Sequence, residues 1–261
     1  MKYFDSHAHY YDERFGSELC GSVDDLIGAL LSDTVCCIIN VGTSPATSRL
    51  AIEQAKKHEG MYTAIGIHPS DTRELFDMEA ELREIRELIT DPASKCVALG
   101  EIGLDYHYEG TDKEKQMRYF DAQMKLAEEL SLPVVIHDRE SHEDVMSVIR
   151  RYPRVRGILH SFSGSVEMAR ELVSLGYYIS FSGTLTFTNA RRPCEVAASV
   201  PTDKILIETD CPYLAPHPKR GTLNHSGNLC LTNARLAEIL GIGEEECAKL
   251  TENNARRIFD L

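Results

Sequence analysis

The chain has 261 residues, 43% of them hydrophobic, enough apolar mass for one large core or two small ones. No window approaches the ~20 apolar residues of a membrane span, and Met1-Lys2-Tyr3-Phe4-Asp5-Ser6-His7 lacks the apolar segment of a signal peptide, so no membrane association and a cytoplasmic location are expected. A formal net charge of −13, from 28 basic and 41 acidic residues, argues against broad non-specific binding to duplex nucleic acid, which needs a basic face.

Short apolar runs alternate with amphipathic stretches. The apolar runs are Lys2–His9, Cys36–Val41, Tyr62–His68, Cys96–Leu104, Pro133–His137, Gly157–His160, Tyr177–Phe181 and Lys204–Asp210. Most lack polar alternation, as strands covered on both faces of a parallel sheet do. Between them, Ser44-Pro45 reads as an N-cap followed by proline at the first helical position. Leu75, Met78, Leu82, Ile85 and Ile89 step by three and four, as do Met117, Phe120, Met124 and Ala127, so each set marks one face of a surface helix. Shorter helices are expected over Glu140–Arg151, Val166–Leu175 and Arg191–Ser199. A polar loop with Pro212, Pro216, Pro218 and Gly221 follows, and two helices close the chain near Leu229–Leu240 and Glu244–Ile258. Eight strand-plus-helix units predict an α/β fold, a (β/α)8 TIM barrel, as one domain over residues 1–261 with no dividing linker. The eight cysteines form no C-x-x-C pair and read as reduced, mostly buried thiols.

The polar residues fall in a pattern. If the first strand is extended, His7 and His9 share a face. His68 closes the third run, Glu101 lies near the end of the fourth, His137 ends the fifth, His160 the sixth and Asp210 the eighth. In a (β/α)8 barrel these carboxyl ends share one rim, where active sites are built. Seven imidazoles and carboxylates gathered there point to a metal centre. Mixed nitrogen and oxygen ligands suit zinc, manganese, iron, cobalt or nickel, with magnesium less favoured by so many imidazoles. Cys211 should point away from this face and is read as structural.

The motifs Asp5-Ser-His-Ala-His, Gly-Glu101-Ile-Gly-Leu-Asp-Tyr, Pro-Val-Val-Ile-His137-Asp-Arg, Leu-His160-Ser-Phe-Ser-Gly and Ile-Glu-Thr-Asp210-Cys-Pro-Tyr-Leu-Ala-Pro, taken in order, resemble the TatD family of metal-dependent deoxyribonucleases, in the amidohydrolase superfamily. The resemblance runs nearly end to end. It implies metal ligands at His7, His9, Glu101, His137, His160 and Asp210, with Glu101 shared between two divalent ions. It also implies hydrolysis of DNA phosphodiesters, often from a 3′ end. One ion would take His7, His9 and Asp210, the other His137 and His160, and Asp210 is the expected acceptor of the attacking water's proton. One departure stands out: where the family commonly reads Lys-x-Asn-x-Pro, this chain has Thr222-Leu223-Asn224-His225-Ser226, in a loop expected over the rim.

His68 and Arg139 are further candidates. His68 could bond a phosphate oxygen, protonate the leaving group, or orient a ligand. Arg139 could grip a phosphate, or pair with Asp138 or Glu140 on the surface. Glu208, two residues before Asp210, should lie one layer deeper and support a ligand. The expected partner is DNA or another phosphodiester, bound weakly because no basic groove or base-stacking aromatic platform is visible; no obligate protein partner is indicated. The alternative is an amidase or esterase acting on a small molecule or an aminoacyl-tRNA, although that branch is better served by a carbamylated lysine than by Glu101.

Overall fold

Apolar runs with little polar alternation can be buried on both faces, and all eight become strands of one parallel sheet. The computed structural model describes residues 1–261. The strands are β1 Tyr3–Ala8, β2 Val35–Val41, β3 Met61–Ile65, β4 Cys96–Asp105, β5 Val134–Arg139, β6 Gly157–Leu159, β7 Tyr178–Phe181 and β8 Ile205–Ile207. Their spatial order is their chain order. The backbone just beyond β8 returns to β1: Asp210 N donates to His7 O (2.9 Å) and His9 N to Cys211 O (2.8 Å), which closes the (β/α)8 barrel.

The helices are α1 Glu13–Glu18, α2 Val23–Asp33, α3 Pro45–Lys57, α4 Met78–Thr90, α5 Lys113–Leu130, α6 His142–Arg151, α7 Val166–Ser174, α8 Arg191–Ser199, α9 Leu229–Leu240 and α10 Glu244–Phe259. The expected ones lie within two residues of their predicted limits, except that α5 extends four residues before Met117 and three after Ala127, and that Leu75 precedes α4 and packs beside it. In α3 the Ser44 side chain accepts from Thr47 N, and Pro45 opens the helix. Two helices, α1 and α2, were not anticipated. No helix is long and apolar enough to cross a membrane.

Two apolar clusters result. The larger fills the space between barrel and helices. The smaller takes one or more residues from every strand, among them Phe4, Val135 and Leu206, and is plugged at the far end by α10 through Phe259. The Phe4 and Phe259 rings stack with centroids 6.0 Å apart. Of the eight free cysteines, Cys37, Cys211 and Cys247 are buried and Cys20 and Cys230 exposed, fewer buried thiols than expected.

Register irregularities aim the rim residues. Along β5, β6 and β8, inward positions recur every second residue, carrying the direction of Val135 on to His137, Ile158 to His160, and Leu206 through Glu208 to Asp210. β4 would break this rule, since Ala98 faces inward and strict alternation would turn Glu101 out. Between Leu99 and Ile102 it spans three residues while its partner spans two, Val134 to Ile136. That extra residue is a bulge, and it swings Glu101 inward. β1 does the same between Asp5 and Ala8, opposite Ile38 and Asn40, and delivers His7 and His9 to the mouth.

Just past the β4 bulge, Gly103 has φ +132°, and a Cβ there would lie 2.0 Å from the carbonyl oxygen of His137. Gly103→Ala is therefore expected to destabilise the fold by about 2–4 kcal/mol through backbone strain and overpacking. Urea unfolding of the two proteins measures it; an unchanged midpoint would show that the β4–β5 spacing yields freely.

Candidate metal centre

Glu101 stands at the middle of the barrel mouth, only 3% exposed. Its two oxygens face different neighbours. Oε2 lies 3.4 Å from His7 Nε2 and 3.6 Å from His9 Nε2. Oε1 lies 2.9 Å from His137 Nδ1 and 2.9 Å from His160 Nε2. Asp210 Oδ1 completes the first group, 3.7 Å from His7 Nε2 and 3.4 Å from His9 Nε2, while those two nitrogens are 3.0 Å apart. All six residues expected as ligands are thus brought together. The division between them is less clean than expected: His160 stacks on His7, centroids 4.1 Å apart, and its ring also approaches the His7–Asp210 side.

The tautomers follow from what each ring touches on its far side. His9 Nδ1 donates to the Val41 carbonyl (2.7 Å), so a neutral ring presents its Nε2 lone pair to the cluster. His160 Nδ1 faces Glu208 Oε1 (3.2 Å) in the same way. Glu208 also accepts from Ser161 N (2.8 Å) and is fully buried, as its expected supporting place requires. His137 Nε2 is turned toward Asp105 Oδ2 at 3.5 Å, which leaves Nδ1 for the cluster. Asp105 was not singled out beforehand, although after the bulge it shares a face with Glu101 by strand alternation. His68 differs: its Nδ1 accepts from Ser70 N (3.1 Å), so the neutral ring carries its hydrogen on Nε2, directed at Glu101 Oε1 (3.5 Å). It is placed as a donor and not as a ligand.

Lone pairs and carboxylate oxygens therefore converge in a largely buried site. Protons are one cation that relieves the crowding. Burial disfavours a charged His160, yet Glu101 and Glu208 raise it well above the ordinary imidazole range. Burial likewise opposes ionisation of Glu101 and Asp210, but the surrounding histidines hold both carboxyls below their usual range. Divalent cations would do the same with more charge. Tetrahedral ligands at about 2.1 Å from an ion stand about 3.4 Å from one another. The five separations measured among His7, His9, Glu101 Oε2 and Asp210 run from 3.0 to 3.7 Å, so this donor set fits a metal ion.

A buried scaffold holds the first group in register. Asp5 Oδ2 accepts from Thr209 Oγ1 (2.6 Å) and Ser226 Oγ (2.7 Å), while Oδ1 accepts from Thr209 N (3.0 Å). This ties the strand bearing His7 to the turn bearing Asp210. Asp210 itself adopts φ +54°, a left-handed conformation that aspartate tolerates better than most residues. The departing loop does not lie over the rim as expected. Asn224 and Ser226 are buried beneath it, Asn224 donating to the carbonyls of Thr209 (2.9 Å) and Tyr213 (2.7 Å). Cys211 is buried beside them, its thiol pushed up by burial, which agrees with a structural reading.

Above the cluster opens a cleft of about 840 Å³, with Tyr108, Arg139, Arg192 and Tyr213 on its walls. Arg139 makes neither of the expected surface ion pairs. Glu140 is taken by His107 (2.7 Å) and Asp138 by His142 (2.7 Å). Arg139 instead leans on the Tyr108 ring, its Cζ 5.5 Å from the centroid.

This barrel, with this donor set, can be compared with known proteins. A family model described as TatD related DNase matches residues 4–260. The chain belongs to the TatD family. Among TatD-like relatives, the uncharacterized metal-dependent hydrolase YabD of Bacillus subtilis is 39% identical over 260 residues, covering 99% of each chain. YcfH of Escherichia coli K12, named likewise, is 34% identical over 98% of this chain and 95% of its own. The crystal structure of YJJV, a TatD homolog from Escherichia coli K12, superposes with a TM-score of 0.89 at 28% identity, over 99% of this chain and 98% of that one.

Where the TatD pattern has proline, Ser226 donates its N–H to the Tyr10 hydroxyl (3.0 Å) as well as its Oγ–H to Asp5. Ser226→Ala should cost about 1–3 kcal/mol of stability, because Asp5 then loses a buried donor. Chemical unfolding reads this out, and no change beyond experimental error would remove Ser226 from the scaffold.

Proposed function

We propose that the protein hydrolyses phosphodiester bonds of DNA, releasing nucleotides from a 3′ end, with two divalent cations held by His7, His9, Glu101, His137, His160 and Asp210. The observation that carries this reading is the two-sided environment of Glu101, each oxygen facing its own set of imidazole nitrogens. The membership in a family described as TatD related DNase supplies the substrate class, and the 3′ direction comes from the motif resemblance. When bound, such ions supply positive charge to phosphate oxygens and lower the pKa of a water nucleophile.

The chain's own groups do the rest. Asp210, kept ionised by His9, His160 and His7 despite burial, accepts the proton of the attacking water. His68 stays neutral, its imidazolium pushed down to about 3, mainly by burial. A neutral ring with hydrogen on Nε2 is a hydrogen-bond donor to a phosphate oxygen and a poor proton source for a leaving group. Of the roles open to His68, binding phosphate is the one this supports. Arg139, free of carboxylate partners, grips a neighbouring phosphate from the cleft wall. Asp105 and Glu208 hold His137 and His160 in the tautomers that face the ions.

Glu101→Ala is expected to lose metal at both positions, most completely beside His137 and His160, and to fall to background activity. Asp210→Asn should keep the metal beside His137 and His160 and lose most turnover. Elemental analysis beside the rate on labelled single- and double-stranded DNA decides; two tight metals retained in Glu101→Ala would exclude a bridging role. Removal of a carboxylate behind a ligating histidine, Glu208→Ala, should weaken metal affinity about 10–100-fold. Competition with a chelating dye measures that constant. Cleavage by verified metal-free protein at the wild-type rate would remove the whole reading.

A further inference from the structure

The rim carries an aromatic side chain that the chemistry above does not use. Tyr108, in the turn after β4, is 48% exposed and faces the cleft. Two guanidinium groups pack against it. The Cζ atoms of Arg139 and Arg73 lie 5.5 and 5.7 Å from its ring centroid, and Arg139 Nη1 donates to its hydroxyl at 3.4 Å. Arg73 is anchored by donating to Thr111 Oγ1 (3.0 Å) and makes no ion pair with a carboxylate. Tyr213, also on the cleft wall, carries a guanidinium too, with Arg14 Cζ 5.4 Å from its centroid, but that arginine is paired with Glu18 (3.0 Å). The Tyr213 hydroxyl donates to Asp12 (2.6 Å) and its ring meets His9 edge-on at 6.4 Å, so it forms a wall of the donor cluster.

Nearly half of Tyr108 remains open to water despite the two arginines and the His107 ring, which meets it edge-on with centroids 5.3 Å apart. Two arginines without a carboxylate partner put positive charge beside this ring in a chain whose net charge is −13. An exposed aromatic face flanked by cations is the combination that holds an unpaired base by stacking and its backbone phosphates by charge. We infer that Tyr108, with Arg139 and Arg73 beside it, is a stacking subsite for an unpaired nucleobase of the strand whose phosphodiester lies in the cleft. The inference rests on the phosphodiesterase reading and deepens it. A base inside a duplex has both faces covered by its neighbours, so the strand that fits this lip is single-stranded or frayed at its end.

The test uses a hydrolysis-resistant phosphorothioate tetranucleotide carrying 2-aminopurine at either end in turn, and the same chain with an abasic residue in that place. Binding to the metal-loaded protein is followed by fluorescence for the base and by competition for the abasic chain. Tyr108→Ala should weaken binding of the 2-aminopurine ligand on the order of tenfold to a hundredfold, and Tyr108→Phe should restore it. With the abasic ligand the difference between wild type and Tyr108→Ala should collapse, because the partner of the ring is gone. Equal loss on both ligands would mean that the ring only shapes the loop, and no loss on either would mean that it touches no base; both outcomes overturn the subsite. Cleavage of unmodified DNA is measured alongside. A wild type that cleaves DNA without base-dependent binding overturns the subsite alone. A wild type that binds 2-aminopurine through Tyr108 without cleaving any phosphodiester keeps the subsite and overturns the reading of the reaction.

Discussion

Glu101 is a carboxylate at the mouth of the barrel, in a place from which water is nearly excluded, and much of the surrounding structure serves to keep its charge. Isolated there, it would become protonated, since burial favours the neutral acid. Five imidazole nitrogens within 3.6 Å, shared between its two oxygens, reverse that balance. The same proximity makes the imidazoles dependent on Glu101. His160 gains a proton largely through it, and His137 is raised against its own burial by Asp105 and Glu101. The group is mutually stabilising only while positive charge, as protons or as metal, stays inside it.

Such crowding needs a frame stiff enough to resist relaxing apart. The ligand candidates sit in strands or within three residues of a strand end. Four of the six are also held from behind: His9 by a main-chain carbonyl, His160 by Glu208, His137 by Asp105, and the Asp210 turn by Asp5 through Thr209. The bulges in β1 and β4 belong to this frame. Without the extra residue, regular alternation would send Glu101 toward the helices, where a carboxylate would meet the large apolar cluster. One residue of register thus separates a donor centre from a buried charge with no partner.

How much of this is legible in the sequence depends on the range of the interaction. Strands were readable because a parallel sheet buried on both faces needs continuous apolar runs, and the rim residues because each ends such a run. α1 and α2 escaped because α1 has six residues with a glycine inside, and α2 shows only Ile27 and Leu30 as fully buried positions. The supporting contacts were harder. Asp5 meets Thr209 and Ser226 across separations of 204 and 221 residues, which no local pattern encodes. The loop at Thr222–Ser226 was misplaced for the same reason: a polar run with proline before it reads as exposed, whereas its asparagine and last serine fill buried hydrogen-bond positions. Asp105 could have been read, since strand alternation alone puts it on the face of Glu101. The exposure of Tyr108 could not, because an aromatic residue near a strand end is read as core by default.

The proposed reading sets an acidic chain against an anionic substrate. A net charge of −13 repels a polyanion at long range, but at physiological ionic strength charges farther apart than about 8 Å are largely screened. What acts on a strand already at the rim is the local charge. Much of the acid surplus lies on helix surfaces such as α4, with Glu79, Glu81, Glu84 and Glu87, on the outside of the barrel. At the lip, Arg73 and Arg139 make no ion pair with a carboxylate: Arg73 donates to Thr111, and the acids flanking Arg139 in the chain, Glu140 and Asp138, face His107 and His142. If the substrate is the proposed one, repulsion from the body of the protein and attraction confined to the lip would favour short contacts at a strand end over wrapping of a long duplex. A cleft of about 840 Å³, closed below by the donor cluster, has room for that and for little more.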